Sequence, residues 1–161
     1  MFWLPMESVH PLVVHFPIAL LLTAFLLDGL GMIFRRPGLH RVALWNLCLG
    51  TVGAVAAVLT GLEASEIAKH TFEIHRVMER HEQLGIATAI SAGILTIARL
   101  LLRDRLNAWL RGASQIILAG IVITLAYGAH LGGRLVYEFG VGGRFGAPEA
   151  PTDAPHSHHR P

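Results

Sequence analysis

The chain has few charged residues for its size. Of its 161 residues only 15% are charged, whereas 53% are hydrophobic, and the mean hydropathy is +0.52. A soluble globule of this length needs more charge to cover its surface, so this composition excludes an ordinary water-soluble domain. It favours a protein embedded in a lipid bilayer.

Other shortages exclude specific chemistries. The single Cys48 permits no intrachain disulfide, and we interpret it as a small buried side chain. The sequence has no Cys-x-x-Cys-His motif for covalent haem and no His-Glu-x-x-His motif for a zinc hydrolase. No lysine or arginine precedes Arg35, so the first apolar run lacks the basic start of a signal peptide.

Long apolar runs make up most of the chain. They predict transmembrane helices at about residues 10–34, 42–62, 84–102 and 113–137, because a span needs about 20 apolar residues. Short connections predict an all-α, four-helix up-and-down bundle over residues 1–143, followed by a flexible Pro/His-rich tail at 144–161. The polar segment 63–82 is expected to be an interfacial loop, partly helical. Arg99, near the end of the third span, is expected to snorkel to the interface.

Basic residues are unevenly distributed between the two ends of this bundle. One end is expected to collect most of the closely spaced arginines, with a single flanking acid, Asp104: Arg35, Arg36, Arg41, Arg99, Arg103, Arg105 and Arg111. The positive-inside rule then predicts a bacterial inner-membrane protein with the arginine loops in the cytoplasm and both termini in the periplasm.

Histidines gather at the opposite end. His10 and His15 begin the first span, His81 begins the third, and His130 lies near the end of the fourth. Polar side chains at membrane depth need partners or an ion, so convergence from three helices indicates a site. By depth, His15 is expected to face His130, while His10 lies nearer the surface with His81. His40, at the arginine end, is interpreted as a solvated side chain.

Imidazole nitrogen is a common ligand for haem iron, zinc and copper. The sequence favours one or two haem b groups with His10, His15, His81 and His130 as candidate axial ligands, because glycine-rich faces leave room for a planar ring. Arg76, Arg80 and Arg134 are candidates for binding the propionates. Asp28 is expected to hydrogen-bond within a helix interface, with a proton path as the alternative. The tail histidines are expected to be solvated.

A family resemblance rests on residues at both ends of the chain. The opening His10-Pro-Leu-Val-Val-His15-Phe-Pro-Ile-Ala-Leu, Thr60-Gly61, His81, and the closing Gly132-Gly133-Arg-Leu-Val-Tyr-Glu-Phe-Gly140-Val-Gly resemble the bacterial DUF2231 family over about residues 8–143. The resemblance implies a four-helix membrane domain, sometimes found beside cytochrome modules. His70 and His75 lie outside these motifs.

Three functions remain open at this point. The first is a b-type cytochrome or redox accessory subunit, more an electron-transfer component than a stand-alone enzyme. It would pass electrons between a membrane quinol, or a partner respiratory or photosynthetic complex or cytochrome, and an external carrier. The second is a cofactor-free structural subunit of a larger membrane complex, and the third is a metal-ion carrier or sensor. The lipid bilayer is the expected environment, and no nucleic-acid partner is expected.

Overall fold

The structure is a computed structural model, which describes residues 6–67, 72–102 and 107–141. These residues form four α-helices: α1 (Met6–Ile33), α2 (Pro37–Ile67), α3 (Phe72–Leu101) and α4 (Ala108–Tyr137). Each helix contains a segment long and apolar enough to cross a membrane: Val9–Ile33, Pro37–Glu63, Phe72–Leu101 and Ala108–Tyr137. The predicted all-α four-helix membrane fold is confirmed.

The helices are longer than the apolar runs. α2 continues to Ile67 and α3 already begins at Phe72, so most of the segment expected to be an interfacial loop is helical. Apolar runs mark the part of a helix that crosses hydrocarbon, and the helix continues beyond it when its polar residues favour helix. Glu73 lies in the first turn of α3, and Gln83 donates a hydrogen bond to Glu79 one turn earlier.

Helix ends at the short connections have clear local causes. Pro37 begins α2, where its missing N–H costs nothing, and it follows Arg35, which adopts a left-handed φ of 53°. α4 begins after Asn107, whose side-chain oxygen accepts a hydrogen bond from the Leu110 N–H at 2.9 Å. The connections are short, and each helix packs against its neighbours in the chain.

Small residues on α2 let α1 pack closely. A Cβ atom added at Gly50 would lie 2.9 Å from the Leu21 side chain, and one at Gly53 would lie 3.2 Å from Pro17 Cδ. The glycine face of the second span therefore serves helix packing at these two positions. α1 also contacts α4, so the four helices form a closed ring. The α1–α4 interface is the least extensive of the four helix–helix interfaces.

An apolar core fills the middle of the bundle. Its buried members come from all four helices: Leu21, Ala24, Leu47, Ala92, Leu95, Leu118 and Ile121. Polar side chains interrupt the interior towards both ends of this core. The end with the first residues of α1 and α3 is called the histidine side, and the end with the last residues of α1 and α3 the arginine side.

Candidate functional site

His10 is fixed in the interface between α1 and α2. Its Nδ1 atom lies 3.1 Å from Thr60 Oγ1, and a Cβ atom added at Gly61 would lie only 2.9 Å from its Cε1 atom. The Thr60 hydroxyl also lies 3.0 Å from Ala56 O and 3.1 Å from Ala57 O. Its one hydrogen goes to these carbonyls, so Thr60 Oγ1 accepts a hydrogen bond from the His10 Nδ1–H.

His81 is held in a similar way between α3 and α4. Its Nδ1 atom lies 2.9 Å from the Gly128 carbonyl oxygen, which can only accept a hydrogen bond. A Cβ atom added at Gly132 would lie 3.0 Å from His81 Cε1. As at His10, a glycine on the neighbouring helix provides the space that the imidazole occupies.

The two rings meet across the diagonal of the bundle. The ring centroids of His10 and His81 lie 6.2 Å apart, and the ring planes are inclined by 82°. Both hydrogen bonds described above use Nδ1 as the donor, so the neutral tautomer of each ring keeps a lone pair on Nε2. Neither of these two hydrogen bonds uses an Nε2 atom. We call His10 and His81 the histidine pair.

His15 and His130 lie on the outside of the bundle. Both side chains are exposed. His15 Nδ1 donates to the Pro11 carbonyl oxygen at 2.5 Å, and His130 stacks on Tyr127 with centroids 6.5 Å apart and planes inclined by 23°. The structure thus brings His10 and His81 together and directs the other two candidates away from the core.

The candidate propionate ligands are also on the surface. Arg76 and Arg80 are exposed on α3, and Arg134 donates from Nε to Glu138 Oε2 at 2.8 Å. His75 is exposed, while His70 and the tail histidines lie outside the described residues. Within the described ranges no group of three or more His, Cys, Asp or Glu side chains is arranged to hold a metal ion.

Sequence reasoning missed a second polar layer at the arginine side. Asp28 is fully buried, and its Oδ1 atom accepts hydrogen bonds from Arg99 Nη2 and from His40 Nδ1, each at 2.7 Å. The prediction that Asp28 hydrogen-bonds in a helix interface is confirmed. The prediction that Arg99 snorkels is wrong, because the residue is 3% exposed and a buried carboxylate lies within its reach.

The interpretation of His40 as a solvated side chain is wrong for the same reason. Its side chain is only 15% exposed, and its ring fills the space above Gly31, where an added Cβ would lie 3.0 Å from it. One sequence signal pointed to this layer. Asp28 and Arg99 are opposite charges in otherwise apolar spans, close to the same end of the bundle.

Several buried polar atoms in this layer and beside it lack a hydrogen-bond partner among the described residues: Asp28 Oδ2, Arg99 Nη1, Ser114 Oγ and Gln115 Oε1. Gln115 is anchored by its amide nitrogen, which donates to the Phe25 carbonyl oxygen at 2.9 Å. Such atoms in a membrane interior are usually satisfied by water.

The histidine pair and the buried ion pair have the same spacing. Eighteen residues separate His10 from Asp28 on α1, and eighteen separate His81 from Arg99 on α3. Eighteen residues make five turns of an α-helix, so each helix carries both polar residues on one face, about 27 Å apart. The two layers therefore lie towards opposite sides of the bundle.

Comparison with known families agrees with this architecture. The family described as a predicted membrane protein, DUF2231, matches residues 6–144. The chain belongs to the DUF2231 family. That match contains both members of the histidine pair and the whole Asp28 layer, and it confirms the resemblance drawn from the opening and closing motifs. No match was found among curated proteins or among solved structures.

Proposed function

We propose that this DUF2231 protein is a membrane-embedded electron-transfer or redox accessory subunit, in which the histidine pair holds one haem b. The observation that carries the proposal is the arrangement of His10 and His81 across the bundle. In both rings Nδ1 is anchored to a protein oxygen and Nε2 retains its lone pair. Metal-ligating histidines are usually oriented in this way by a hydrogen bond to the other nitrogen.

The separation of the two rings supports a shared metal. Two imidazoles that share one metal ion would have their ring centres within about 7 Å of each other, because a metal–nitrogen bond is about 2 Å long. The observed separation is 6.2 Å. Two histidines would also be enough protein ligands to hold a haem iron, whereas protein zinc sites use three or four protein ligands.

The surroundings of the pair are rich in glycine. Gly61 on α2 and Gly132 on α4 provide the space that the two imidazoles occupy. Gly85 lies one turn after His81, and the carbonyl of Gly128 is the hydrogen-bond acceptor of His81. Interiors of helix bundles are common sites for cofactors. Arg76, Arg80 and Arg134 are proposed to bind the propionates, since all three lie towards the histidine side.

When bound, haem supplies one-electron chemistry. The residues of this chain have separate roles in the proposal. His10 and His81 would hold the iron, the Thr60 hydroxyl and the Gly128 carbonyl orient the two imidazoles, and the apolar core would shield the site from water on the arginine side. The electron donor and acceptor are proposed to be a membrane quinol or partner complex and an external carrier.

An absorption spectrum tests the proposal directly. The protein is produced in haem-replete cells, purified in mild detergent and measured before and after dithionite reduction, with a pyridine haemochrome assay for stoichiometry. We expect a b-type spectrum with one haem per chain. Purified, folded protein without a haem signal contradicts the proposal, and elemental analysis of the same sample then tests for a metal-ion carrier.

Paired variants identify the ligands. His10→Asn and His81→Asn each keep a hydrogen-bond donor near the Nδ1 position but remove Nε2, so haem is expected to be lost while the protein still elutes as a folded species. His15→Asn and His130→Asn are the matched controls, because these side chains lie outside the bundle, and they are expected to retain the spectrum. Equal loss of haem in all four variants contradicts the assignment to the histidine pair.

A cofactor-free structural subunit is the second candidate. It is favoured by the hydrogen bonds of the histidine pair, because each of them joins two neighbouring helices. The bond of His10 joins α1 to α2, and the bond of His81 joins α3 to α4. This candidate predicts that the protein co-purifies with a larger membrane complex, and that substitutions of the pair alter assembly without any spectroscopic change.

The orientation in the membrane is also a proposal. The arginine loops are proposed to lie in the cytoplasm of a bacterium, and both termini in the periplasm. Fusing alkaline phosphatase or green fluorescent protein to the C-terminus tests this, since the phosphatase is active only in the periplasm and the fluorescent protein folds efficiently only in the cytoplasm. An active phosphatase fusion is expected.

A further inference from the structure

Buried polar atoms without a partner are concentrated around Asp28. Among the residues that the structure describes, five buried side-chain atoms have no hydrogen-bond partner, and four of them are at the arginine side: Asp28 Oδ2, Arg99 Nη1, Ser114 Oγ and Gln115 Oε1. The fifth, Thr88 Oγ1, lies eleven residues before Arg99 on α3, which is about 16 Å along the helix. Buried polar atoms in proteins nearly always have a partner, so this concentration indicates a bound molecule.

The positions of these atoms have identifiable causes. Asp28 and Arg99 form their ion pair through Oδ1 and Nη2, so the second oxygen and the second terminal nitrogen stay unpaired at the same contact. Gln115 approaches from α4, where its amide nitrogen donates to the Phe25 carbonyl oxygen and lies 3.1 Å from a Cβ atom added at Gly29. The absence of a side chain at Gly29 therefore leaves room for Gln115 on the turn of α1 that carries Asp28.

The polar layer lies close to the helix ends at the arginine side. Asp28 lies five residues before the end of α1 and Arg99 two residues before the end of α3, about 8 Å and about 3 Å along the helix axis. Ser114 and Gln115 lie within about two turns of the start of α4. His40 lies in the first turn of α2, and its side chain is 15% exposed. Water at the arginine side therefore has only a short path to the layer.

The apolar core closes the layer towards the histidine side. One turn deeper than Asp28, Arg99 and Ser114, each helix carries a buried apolar residue of the core: Ala24, Leu95 and Leu118, which are 0%, 5% and 0% exposed. Because Ser114 shares a helix face with Leu118, its hydroxyl lies on the inner face of α4. The layer is thus accessible to water from one side of the bundle only.

The charges of the layer favour a neutral ligand. The charges of Asp28 and Arg99 cancel, Ser114 and Gln115 are uncharged, and the layer has no net charge when the imidazole of His40 is neutral. Arg99 opposes a bound cation, and Asp28 opposes a bound anion. The unpaired atoms offer a nitrogen donor, two oxygen acceptors and a hydroxyl that can donate and accept. Water suits this set, since a buried water molecule makes about three hydrogen bonds to such groups.

We propose that the Asp28 layer, formed by Asp28, His40, Arg99, Ser114 and Gln115, binds internal water that enters from the arginine side past His40. This water donates to the unpaired oxygens and accepts from Arg99 Nη1. Through it the buried groups exchange protons with the arginine side; one hydrogen leaves as another arrives, so the charge of the layer does not change. The inference does not rest on the haem proposal, because the histidine pair lies about 27 Å away along the helices.

Solid-state NMR of the full-length protein in lipid bilayers tests this proposal without any substitution. Magnetisation transferred from water is expected to reach the side-chain nitrogens of Arg99 and Gln115, and the Arg99 N–H hydrogens are expected to exchange in deuterium oxide while the protein stays folded. Thr51 and Thr96 are the internal control, because their hydroxyl groups bond to each other within the bundle. They are expected to receive several-fold less magnetisation from water.

A matched pair of variants locates the water. Ser114→Val removes a hydroxyl and adds volume to the layer, so transfer from water to Arg99 is expected to fall several-fold, with haem content per chain unchanged. Ser91→Val is the control, because Ser91 is exposed on α3, and it is expected to leave the transfer unaltered.

Three results would overturn the proposal. The first is transfer from water to Arg99 that does not exceed the transfer to Thr51, which would show a dry layer. The second is an equal effect of Ser114→Val and Ser91→Val. The third is a saturable change of the Arg99 signals on titration with sodium chloride, which would show an ion site instead of a water site.

Discussion

Asp28 and Arg99 form an ion pair across the diagonal of the bundle, with Oδ1 and Nη2 2.7 Å apart. The two residues are 0% and 3% exposed, and they join helices α1 and α3, which are not neighbours in the chain. His40 on α2 completes the layer by donating to the same carboxylate oxygen. Three of the four helices are therefore connected through a single acceptor atom.

Removing one charge of this pair is expected to destabilise the protein. Asp28→Leu and Arg99→Leu each leave a charged partner buried in the bundle, which costs about 3 kcal/mol or more in the free energy of unfolding. The double variant Asp28→Leu/Arg99→Leu is expected to cost less than the sum of the two. Unfolding in mixed micelles, monitored by circular dichroism, measures all three.

Arg80→Leu is the control for this series. Arg80 is exposed on the same helix as Arg99, so its substitution is expected to change the free energy of unfolding by no more than about 0.5 kcal/mol. If the losses in the free energy of unfolding caused by Asp28→Leu and Arg99→Leu simply add in the double variant, a direct ion pair between the two residues is contradicted.

The glycines beneath the histidine pair are expected not to tolerate a methyl group. A Cβ atom at Gly61 would lie 2.9 Å from His10 Cε1, and one at Gly132 would lie 3.0 Å from His81 Cε1. Gly61→Ala and Gly132→Ala are therefore expected to displace the rings and cost about 1–3 kcal/mol. They are also expected to weaken haem binding.

Gly120→Ala provides the matched comparison, because no atom lies within 4 Å of a Cβ added at Gly120. Alanine favours helix over glycine, so this variant is expected to be neutral or slightly stabilising. Similar melting temperatures for Gly61→Ala and Gly120→Ala would show that His10 does not occupy the space above Gly61.

Thr60 is expected to orient His10 for ligation. Thr60→Val keeps the side-chain shape but removes the oxygen that accepts from Nδ1, whereas Thr60→Ser retains it. Loss of an orienting partner lowers metal affinity about 10–100-fold, so haem affinity is expected to fall in the valine variant and recover in the serine variant. Haem titration of the apoprotein measures both.

A control for backbone effects is Thr124→Val. The Thr124 hydroxyl donates to the Gly120 carbonyl oxygen, one turn earlier on its own helix, as the Thr60 hydroxyl does to Ala56. Haem affinity should be unchanged by this substitution. An equal effect of Thr60→Val and Thr124→Val would assign the loss to the helix rather than to His10.

A hydrogen bond between threonines joins α2 to α3 in the middle of the bundle. Thr51 Oγ1 and Thr96 Oγ1 lie 2.8 Å apart. A double-mutant cycle of Thr51→Val and Thr96→Val is expected to give a coupling energy of about 0.6 kcal/mol, the average for such bonds in membrane proteins. The pair Thr51→Val and Thr124→Val should show no coupling.

The membrane fold could be predicted from the sequence because apolar length alone determines which segments span a bilayer. The ends of the helices could not be predicted in this way. α3 begins at Phe72, well before its apolar run, because local polar contacts favour helix there. The meeting of His10 and His81 followed from topology and depth. Which histidines face inward depends on the rotation of each helix about its axis, and the sequence does not give that rotation. The sequence shows that His10 and Asp28 share a helix face only through their spacing of eighteen residues.

Arg99 and His40 show a second reason why side-chain positions could not be predicted from the sequence. A long arginine side chain near a helix end can reach either the interface or a buried carboxylate, and the choice depends on what the other helices place at the same depth. Asp28 is on another helix, so the local sequence around Arg99 does not contain that information.

The distribution of bonds within the bundle implies an order of assembly. The contacts of His10 with Thr60 and of Asp28 with His40 lie within the α1–α2 hairpin, and that of His81 with Gly128 lies within the α3–α4 hairpin. The two hairpins can insert into the bilayer separately and dock afterwards, when Arg99 of the second hairpin reaches Asp28 of the first. A chain divided between residues 67 and 72 should therefore reassemble from its two halves when both are expressed in one membrane.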